Sequence, residues 1–593
     1  MTYFGVPRLH FSGSFYIDPS TINNTDSNYN EPPVLQKAWN PTGTHFFQLL
    51  AGNEPVIPPG ATVTPCEVTG IVTEDGKFTN DPSKDSLIGQ LLVSTNNPAP
   101  AKLVDLDVDQ QLVSQVWGLQ LSIGATGQAL IADFIATNFQ QMFGARAPGN
   151  FAAGFSAAYQ SQLTNLQWPS SIDSPLLQAW QNAGAQLLSI RFTVDQIDAP
   201  ALPTDPNFRI GRISGTIGLS SASEPQSITI GRLLRPVTAF TPPTTSGAPK
   251  ELQAGMPAPP DDINQNFNYA PALVDSDRNV VTIDLGNALP FDTGGNPANA
   301  GTLKAAILTS SGVISLGPVT NTLDHYLQRA FLFEFPLDDN GTTAGTSPLV
   351  ILSNGNVVLS ENPSGAWIDA AEHVYRLDAN APATEGTVGA TTTAEVTLYA
   401  TTFGATPAAG QTVTLGVSEF ANSQTGNPWP APAIPLTISP SSVTLTNGMA
   451  TFTIYSGMPG NPRGSIDGLV YRITFDWAQD TNPVSRLAVC VKVFDALRVP
   501  VIFDKFQAPK PPHWIDVQGI FQQYMTLYPA MKAIMDLSDE TTVNTNAAAI
   551  MQYLSFPITS PLHMPVTRDL STAMREYLLR YLAAQLPPKG GGD

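Results

Sequence analysis

Short runs in which apolar and polar residues alternate recur along almost the whole chain, each closed within about a dozen residues by Gly, Pro, Asn or Asp. Such a chain folds through many short strands and few long helices. Its 46 glycines and 53 prolines, about one residue in six, agree and carry no collagen-like period. Strand-like runs lie at Phe4–Ile17, Ala61–Val72, Ile88–Ser94, Val113–Ile123, Gln186–Val194, Ile210–Leu219, Ser227–Leu234 and Val280–Leu285. The pattern returns between Ala305 and Leu359, with a helical turn near Leu323–Ala330. Two helices are expected among these runs. One carries Ile131, Phe134, Ile135, Phe139 and Met142 and stops at Gly144; the other spans Ser174–Leu187.

The Asn-, Ser- and Pro-rich stretch Asp18–Pro33 and the Pro/Gly-rich stretch Phe240–Pro271 are expected to be loops. A Thr/Ala/Gly-rich shift at Ala381–Thr393 marks a candidate boundary. Beyond it, seven short runs between Ala394 and Val493 have the number and spacing of an immunoglobulin-like sandwich, without its Cys-Trp-Cys signature. After Val499, helical spacing takes over. It covers Ile520–Met535 with a break at Pro529, then Asn544–Leu554, then Leu570–Leu582 with Thr567 as its N-cap. The expected fold is mainly β with some α. Residues 1–380 form a β-rich body, 385–497 an immunoglobulin-like β-sandwich and 500–590 a helical subdomain.

Only 13% of the 593 residues are charged, while 42% are hydrophobic. The chain can therefore bury large cores, and its polar surface must be mostly uncharged. The net charge of −20 and the lack of basic clusters argue against a nucleic-acid partner. No window approaches the roughly 18 uninterrupted apolar residues of a membrane helix. The first residues lack the basic start and apolar run of a secretory leader, so a cytoplasmic protein is expected. Cys66 and Cys490 allow one disulfide at most, and buried free thiols are the expectation.

Motifs for nucleophilic catalysis, phosphate loops, dinucleotide binding and zinc are absent from the sequence. Asp105-x-Asp107-x-Asp109 lacks the glycine and glutamate that would complete a calcium loop. The six histidines are the main candidate chemistry. His10 and His45 lie in compact aromatic segments, and His325 sits between Asp324 and Tyr326. Arg8, Arg232 and Arg235 stand out in a chain with so few bases; each could hold a ligand carboxylate or tie down neighbouring chain. Arg8, His10, His45, Arg232, Arg235 and His325 are accordingly the candidate ligand-binding residues.

Several of these residues fall in segments that carry a family resemblance. They are Val6-Pro7-Arg8-Leu9-His10-Phe11-Ser12-Gly13, Asn40–Phe46, Val104–Ile123, Gly231–Pro236, Val280–Phe291 and Leu323–Leu337. Two C-terminal stretches, Gln522–Met525 and Met564–Leu582, complete the set. In this order they resemble the N-terminal half of the iminophenyl-pyruvate dimer synthases of violacein biosynthesis and of the related chromopyrrolate synthases. In that family a ferritin-like domain with a Glu-Glu-x-x-His helix follows; this sequence contains no such motif. The resemblance implies the fold and a non-catalytic module that binds a small aromatic ligand or a partner subunit. Two alternatives are an oxidative enzyme of aromatic secondary metabolism, with haem bound through His10, His45 or His325, and a structural protein that assembles into oligomers. No metal or cofactor is otherwise expected.

Overall fold

The computed structural model describes residues 2–19, 43–107, 113–125, 127–144, 146–147, 155–197, 205–237, 267–379, 391–419, 435–460, 467–481, 488–496 and 510–587. The architecture is mainly β, with a β-rich body, an immunoglobulin-like sandwich and C-terminal helices.

The first part of the body is a barrel of unusual construction. Its thirteen strands are β1 (Arg8–Asp18), β2 (Phe46–Leu49), β3 (Glu67–Val72), β4 (Phe78–Thr79), β5 (Leu92–Ser94), β6 (Ala101–Asp105), β7 (Ser114–Trp117), β8 (Gln120–Ile123), β9 (Leu130–Phe134), β10 (Thr137–Phe143), β11 (Ser156–Gln167), β12 (Leu187–Asp195) and β13 (Ile210–Ser220). Four long strands run side by side in the order β1-β13-β12-β11. The remaining staves are each split into two short strands. Phe15–Asp18 of β1 pair with β2, and Arg8–Ser12 pair with β3. Ser156–Tyr159 of β11 pair with β10, and Leu163–Gln167 pair with β9. One level closes through β2-β6-β7-β10. The other closes through β3, the Glu67–Leu91 bridge, β5, β8 and β9. Among the described residues, closure leaves β4, which pairs with β3 alone, as the strand with an open edge.

Leu9, Phe11, Phe15 and Ile17 project from β1 into the apolar core, joined by Phe134, Phe192 and Ile213. Gly13 marks the point where β1 changes partner. A Cβ there would lie 2.3 Å from the Cys66 Cα, so only glycine lets the chain cross so closely.

The helix expected over Ile131–Met142 is instead the split stave β9–β10. Leu130, Ala132 and Phe134 alternate inward, the stave breaks at 135–136, and burial resumes at Thr137. Two period-2 runs joined by that break imitate helical spacing. The other expected helix is present as α1 (Pro175–Asn182), capped by Ser174 and buried through Leu176, Leu177 and Trp180.

A second barrel-like sheet comprises β14 (Arg232–Pro236), β15 (Ala270–Asp275), β16 (Val280–Asp284), β17 (Leu303–Thr309), β18 (Gly312–Pro318), β19 (Leu332–Pro336), β20 (Leu349–Ser353) and β21 (Asn356–Ser360). Its order is β18-β17-β20-β21-β14-β15-β16-β19. It rolls around a core of Ile283, Leu285, Phe291, Tyr326, Phe331 and Ile351. Among the described residues no ladder joins β18 to β19, which leaves a seam. Between these two strands the chain forms α2 (Leu323–Arg329), started by the Thr322 hydroxyl and ended by Ala330 in the left-handed region (φ 52°).

Buried ion pairs lock the two barrels together. Asp195 accepts from Arg146 (3.1 Å), Arg212 (2.8 Å) and the Tyr326 hydroxyl (3.1 Å). Asp284 accepts from Tyr3 (3.0 Å) and Arg191.

The sandwich takes in β22 (Ala366–Ala370) and β23 (Val374–Leu377), which precede the compositional shift at Ala381–Thr393, followed by β24 (Thr393–Thr402), β25 (Thr412–Glu419), β26 (Leu436–Ser439), β27 (Ser442–Thr444), β28 (Met449–Ser456), β29 (Leu469–Trp477) and β30 (Ala488–Val493). One sheet runs β22-β24-β28-β26 and the other β23-β30-β29-β25-β27, the immunoglobulin arrangement of strands A-B-E-D against G-F-C. Its core holds Phe452, Tyr471 and Trp477.

The C-terminal helices are α3 (Trp514–Leu527), α4 (Glu540–Thr545), α5 (Ala547–Ser555) and α6 (Thr572–Gln585). The break at Pro529 is present as a 3-10 turn, Pro529–Ala533. The N-cap of α6 is Ser571 rather than Thr567. The Thr567 hydroxyl instead bonds Asp569, so it stabilises the approach to the helix and not its first turn. Most of the Phe240–Pro271 stretch, the Asp18–Pro33 stretch after Pro19, residues 381–390 of the candidate boundary and Asp109 lie outside the described residues.

Candidate functional site

A cavity of about 660 Å³ lies where β1 of the first barrel faces the seam of the second. One wall is Arg8 and His10 on β1 with Val72, Gly76, Lys77 and, from β4, Phe78. The other is Leu316–Pro318 of β18, His325 and Arg329 of α2, and Leu332–Pro336 of β19. Strand alternation explains the first wall. Leu9 and Phe11 point into the barrel, so Arg8 and His10 point out of it, toward the second barrel. One helical turn separates His325 from Arg329 and places both on the same side of α2.

Aromatic rings and charged groups share both walls of the cavity. His325 stacks on Phe333 (centroids 4.3 Å, 7° between planes), and Phe333 stacks in turn on Phe335. From the same wall as His325, the Arg329 guanidinium reaches to lie 3.6 Å over the Phe78 ring. Arg8 is held by the carbonyl of Phe4 (2.8 Å) and by Glu334 (3.0 Å). Arg278 reaches the same carboxylate at 2.7 Å. Burial would raise the Glu334 pKa, but Arg8 and Arg278 outweigh it and hold this carboxyl below its usual range.

Both histidines are neutral near pH 7. Burial, reinforced by Arg8, Arg329 and His325, pushes His10 well below its ordinary value. Burial and then Arg329 lower His325 to about 4. His10 Nδ1 meets the Thr216 hydroxyl at 2.9 Å. With that hydroxyl donating, Nε2 carries the ring proton and is the donor left for a ligand.

The other candidate residues lie elsewhere. Arg232 is clamped by Glu361 (2.6 Å) and by the carbonyls of Ala344 (2.6 Å) and Ser347 (2.8 Å). Arg235 makes a two-pronged pair with Asp480 (2.7 and 2.9 Å) and ties the second barrel to the sandwich. His45 donates from Nδ1 to the Leu103 carbonyl (3.1 Å) and stacks on Tyr528 (5.3 Å), under the C-terminal helices. Of the six candidates, the structure therefore gathers Arg8, His10 and His325. Sequence reasoning missed Arg329, Phe78 and Phe333. The spacing of Arg329 from His325 in a helical turn was the available signal for the first of these. Asp107 is no calcium ligand here; it pairs with Lys492 at 2.9 Å. Cys66 and Cys490 are free and buried, in different modules.

The histidines make the fold sensitive to acid. Burial lowers His45 to about 4, while an unfolded chain titrates it near 6.5. Below pH ~6.5 the unfolded state takes up a proton that the folded state refuses, so stability declines until about pH 4. His45 alone is expected to account for about 3 kcal/mol of loss over that interval. Urea unfolding at pH 7 and pH 5 should show the loss, and His45→Phe, which keeps a ring against Tyr528, should reduce it. Equal acid sensitivity in the two proteins would remove this explanation.

No protein-family model matches the chain, and no curated protein matches it. Among solved structures, a protein of unknown function from Porphyromonas gingivalis W83 is similar over 37% of this chain and 90% of that one, at 10% identity and a TM-score of 0.14. A likeness at that level carries no functional argument.

Proposed function

We propose that this protein is a binding module that receives a small aromatic ligand in the cavity between its two barrels. The carrying observation is the cavity itself: about 660 Å³, in the range of small-molecule sites, lined by stacked rings and a few fixed polar groups. The resemblance supports the same reading. Two of its segments, Val6–Gly13 and Leu323–Leu337, contribute Arg8, His10, His325, Arg329 and the β19 wall. In the relatives those segments precede a metal-bearing domain that handles indole imino acids. On this reading the module holds an aromatic molecule without transforming it.

Filling the cavity tests the proposal. Leu316 lines it and is only partly buried, so Leu316→Trp should block the site while leaving the melting temperature within a few degrees of the parent. Titration calorimetry with indole-3-acetate as probe should show binding to the parent and at least a tenfold loss in the variant. No binding to the parent, or equal binding to both, would refute the proposal.

A partner chain is the second reading, favoured by the edges of β18 and β19 that are unpaired among the described residues and open to an added strand. Light scattering on the purified protein would reveal self-association through that seam.

A further inference from the structure

We infer that the joint where the first barrel, the sandwich and the C-terminal helices meet binds a small oxyanion of the phosphate or sulfate class, with Lys102 and Arg568 supplying the charge that holds it. The site is separate from the cavity between the barrels, and the inference does not rest on the binding reading above.

Three modules each bring a cation to one indole ring. Lys102 and Trp117 face each other in the β6–β7 ladder. Their neighbours Ala101 and Val116 belong to the barrel core, so this pair lies on the outer face of the barrel. Lys102 Nζ sits 3.9 Å over the Phe46 ring. Arg376 of β23 brings its guanidinium to 5.4 Å from the Trp117 ring, and Arg568, on the approach to α6, comes to 5.3 Å. Lys102 is 6% exposed and Arg568 1%.

The charge of Lys102 and Arg568 is not balanced from within the chain. Among the described residues no carboxylate pairs with either, and the charged neighbours that shift them are cations. Burial and then Arg568 lower Lys102 to about 7, while burial and then Arg376 lower Arg568 to about 9. The carbonyls of Ile558, Val566 and Ser560 fix Arg568 in place without neutralising it. Asp569 and Asp107 do attract Arg376. Asp569, however, is bonded by the Thr567 hydroxyl, and Asp107 pairs with Lys492. Mutually repelling cations buried without an acid are destabilising, and a bound anion relieves them.

Hydrogen-bond donors are left over at the same place. Trp117 Nε1 and both Nε and Nη2 of Arg376 are buried without a partner, whereas Arg376 Nη1 goes to Gln115 at 2.7 Å. Unsatisfied buried donors in a native fold point to an ion or water that completes them. Nε and Nη2 form one edge of a guanidinium, with two parallel N–H groups spaced for two oxygens of an oxyanion. His45 is neutral beside this cluster and gives its Nδ1 proton to the Leu103 carbonyl. The positive charge of the site therefore comes from the lysine and the two arginines.

The test uses the full chain dialysed free of phosphate and sulfate. Inorganic phosphate or sulfate should raise the melting temperature by several degrees more than sodium chloride at equal ionic strength. Equilibrium dialysis with radiolabelled phosphate should find one tight site per chain, displaced by sulfate. Lys102→Met should weaken phosphate binding about tenfold or more. In anion-free buffer the same variant should melt no lower than the parent, because it removes a repulsion from Arg568. Lys77→Met, at an exposed lysine outside the joint, should leave phosphate binding unchanged. Should Lys102→Met fail to fold, Trp117→Phe keeps a ring there and removes one donor, and it should still weaken binding severalfold. No phosphate bound, chloride matching phosphate in effect, or a folded Lys102 or Trp117 variant keeping the parent's affinity would overturn the inference.

Discussion

Replacing Arg232 with Met is expected to remove about 3–5 kcal/mol of stability, because it strands a buried carboxylate. Glu361 is 4% exposed. Arg232 meets it with two nitrogens, and the backbone N–H of Leu349 donates to it at 2.6 Å. The same guanidinium closes the 344–347 turn through two carbonyls. Burial raises the Glu361 pKa even with Arg232 present. Without the arginine this carboxyl must protonate or draw in water, and the turn loses its tie. Urea unfolding at pH 7 measures the cost. Adding Glu361→Gln to Arg232→Met should restore part of it, since a neutral amide is cheaper to bury than a lone charge. A single variant within 1 kcal/mol of the parent, by that yardstick, would mean that the pair contributes little.

A loss of similar size, about 3–5 kcal/mol, is expected for Lys492→Met. Lys492 and Asp107 are both fully buried and 2.9 Å apart. One lies on β30 of the sandwich and the other just beyond β6 of the first barrel, so the substitution strikes the joint between modules. Calorimetry should show the parent's unfolding separate into a sandwich transition and a barrel transition. The variant should also recover stability as pH falls from 7 toward 5. Burial pushes nearby Asp467 up to about 7, against the pull of Lys492. A carboxyl raised in the folded state stabilises at low pH and loses that contribution as pH rises from about 4 toward its folded value. Removing Lys492 raises it further and strengthens the trend. One transition at the parent's temperature would contradict this account of the joint.

Much of the fold could be inferred from the sequence because strand alternation and turn residues are local signals. The sandwich strands beyond Ala394, α1, and the helix break at Pro529 all follow from such signals. The form of Ile131–Met142 depends on a long-range fact: the stave breaks at 135–136, where β11 changes partner between Tyr159 and Leu163. Local periodicity has no access to that pairing. The same holds at the site. His10 and His325 were identifiable as residue types, but their meeting depends on how the two barrels dock. Arg232 and Arg235 looked equally suited to a ligand, since a guanidinium committed to an internal carboxylate has no distinguishing sequence mark. Glu361 and Asp480 lie 129 and 245 residues away.

The space between the barrels is proposed to hold a small aromatic molecule beside the His325–Phe333 stack. A crystal of the protein grown with 5-bromoindole-3-acetate tests it most directly, because bromine can be located by its anomalous signal. One strong peak is expected between Phe78 and the His325–Phe333 stack. A peak elsewhere, or an empty cavity at saturating ligand, would contradict it.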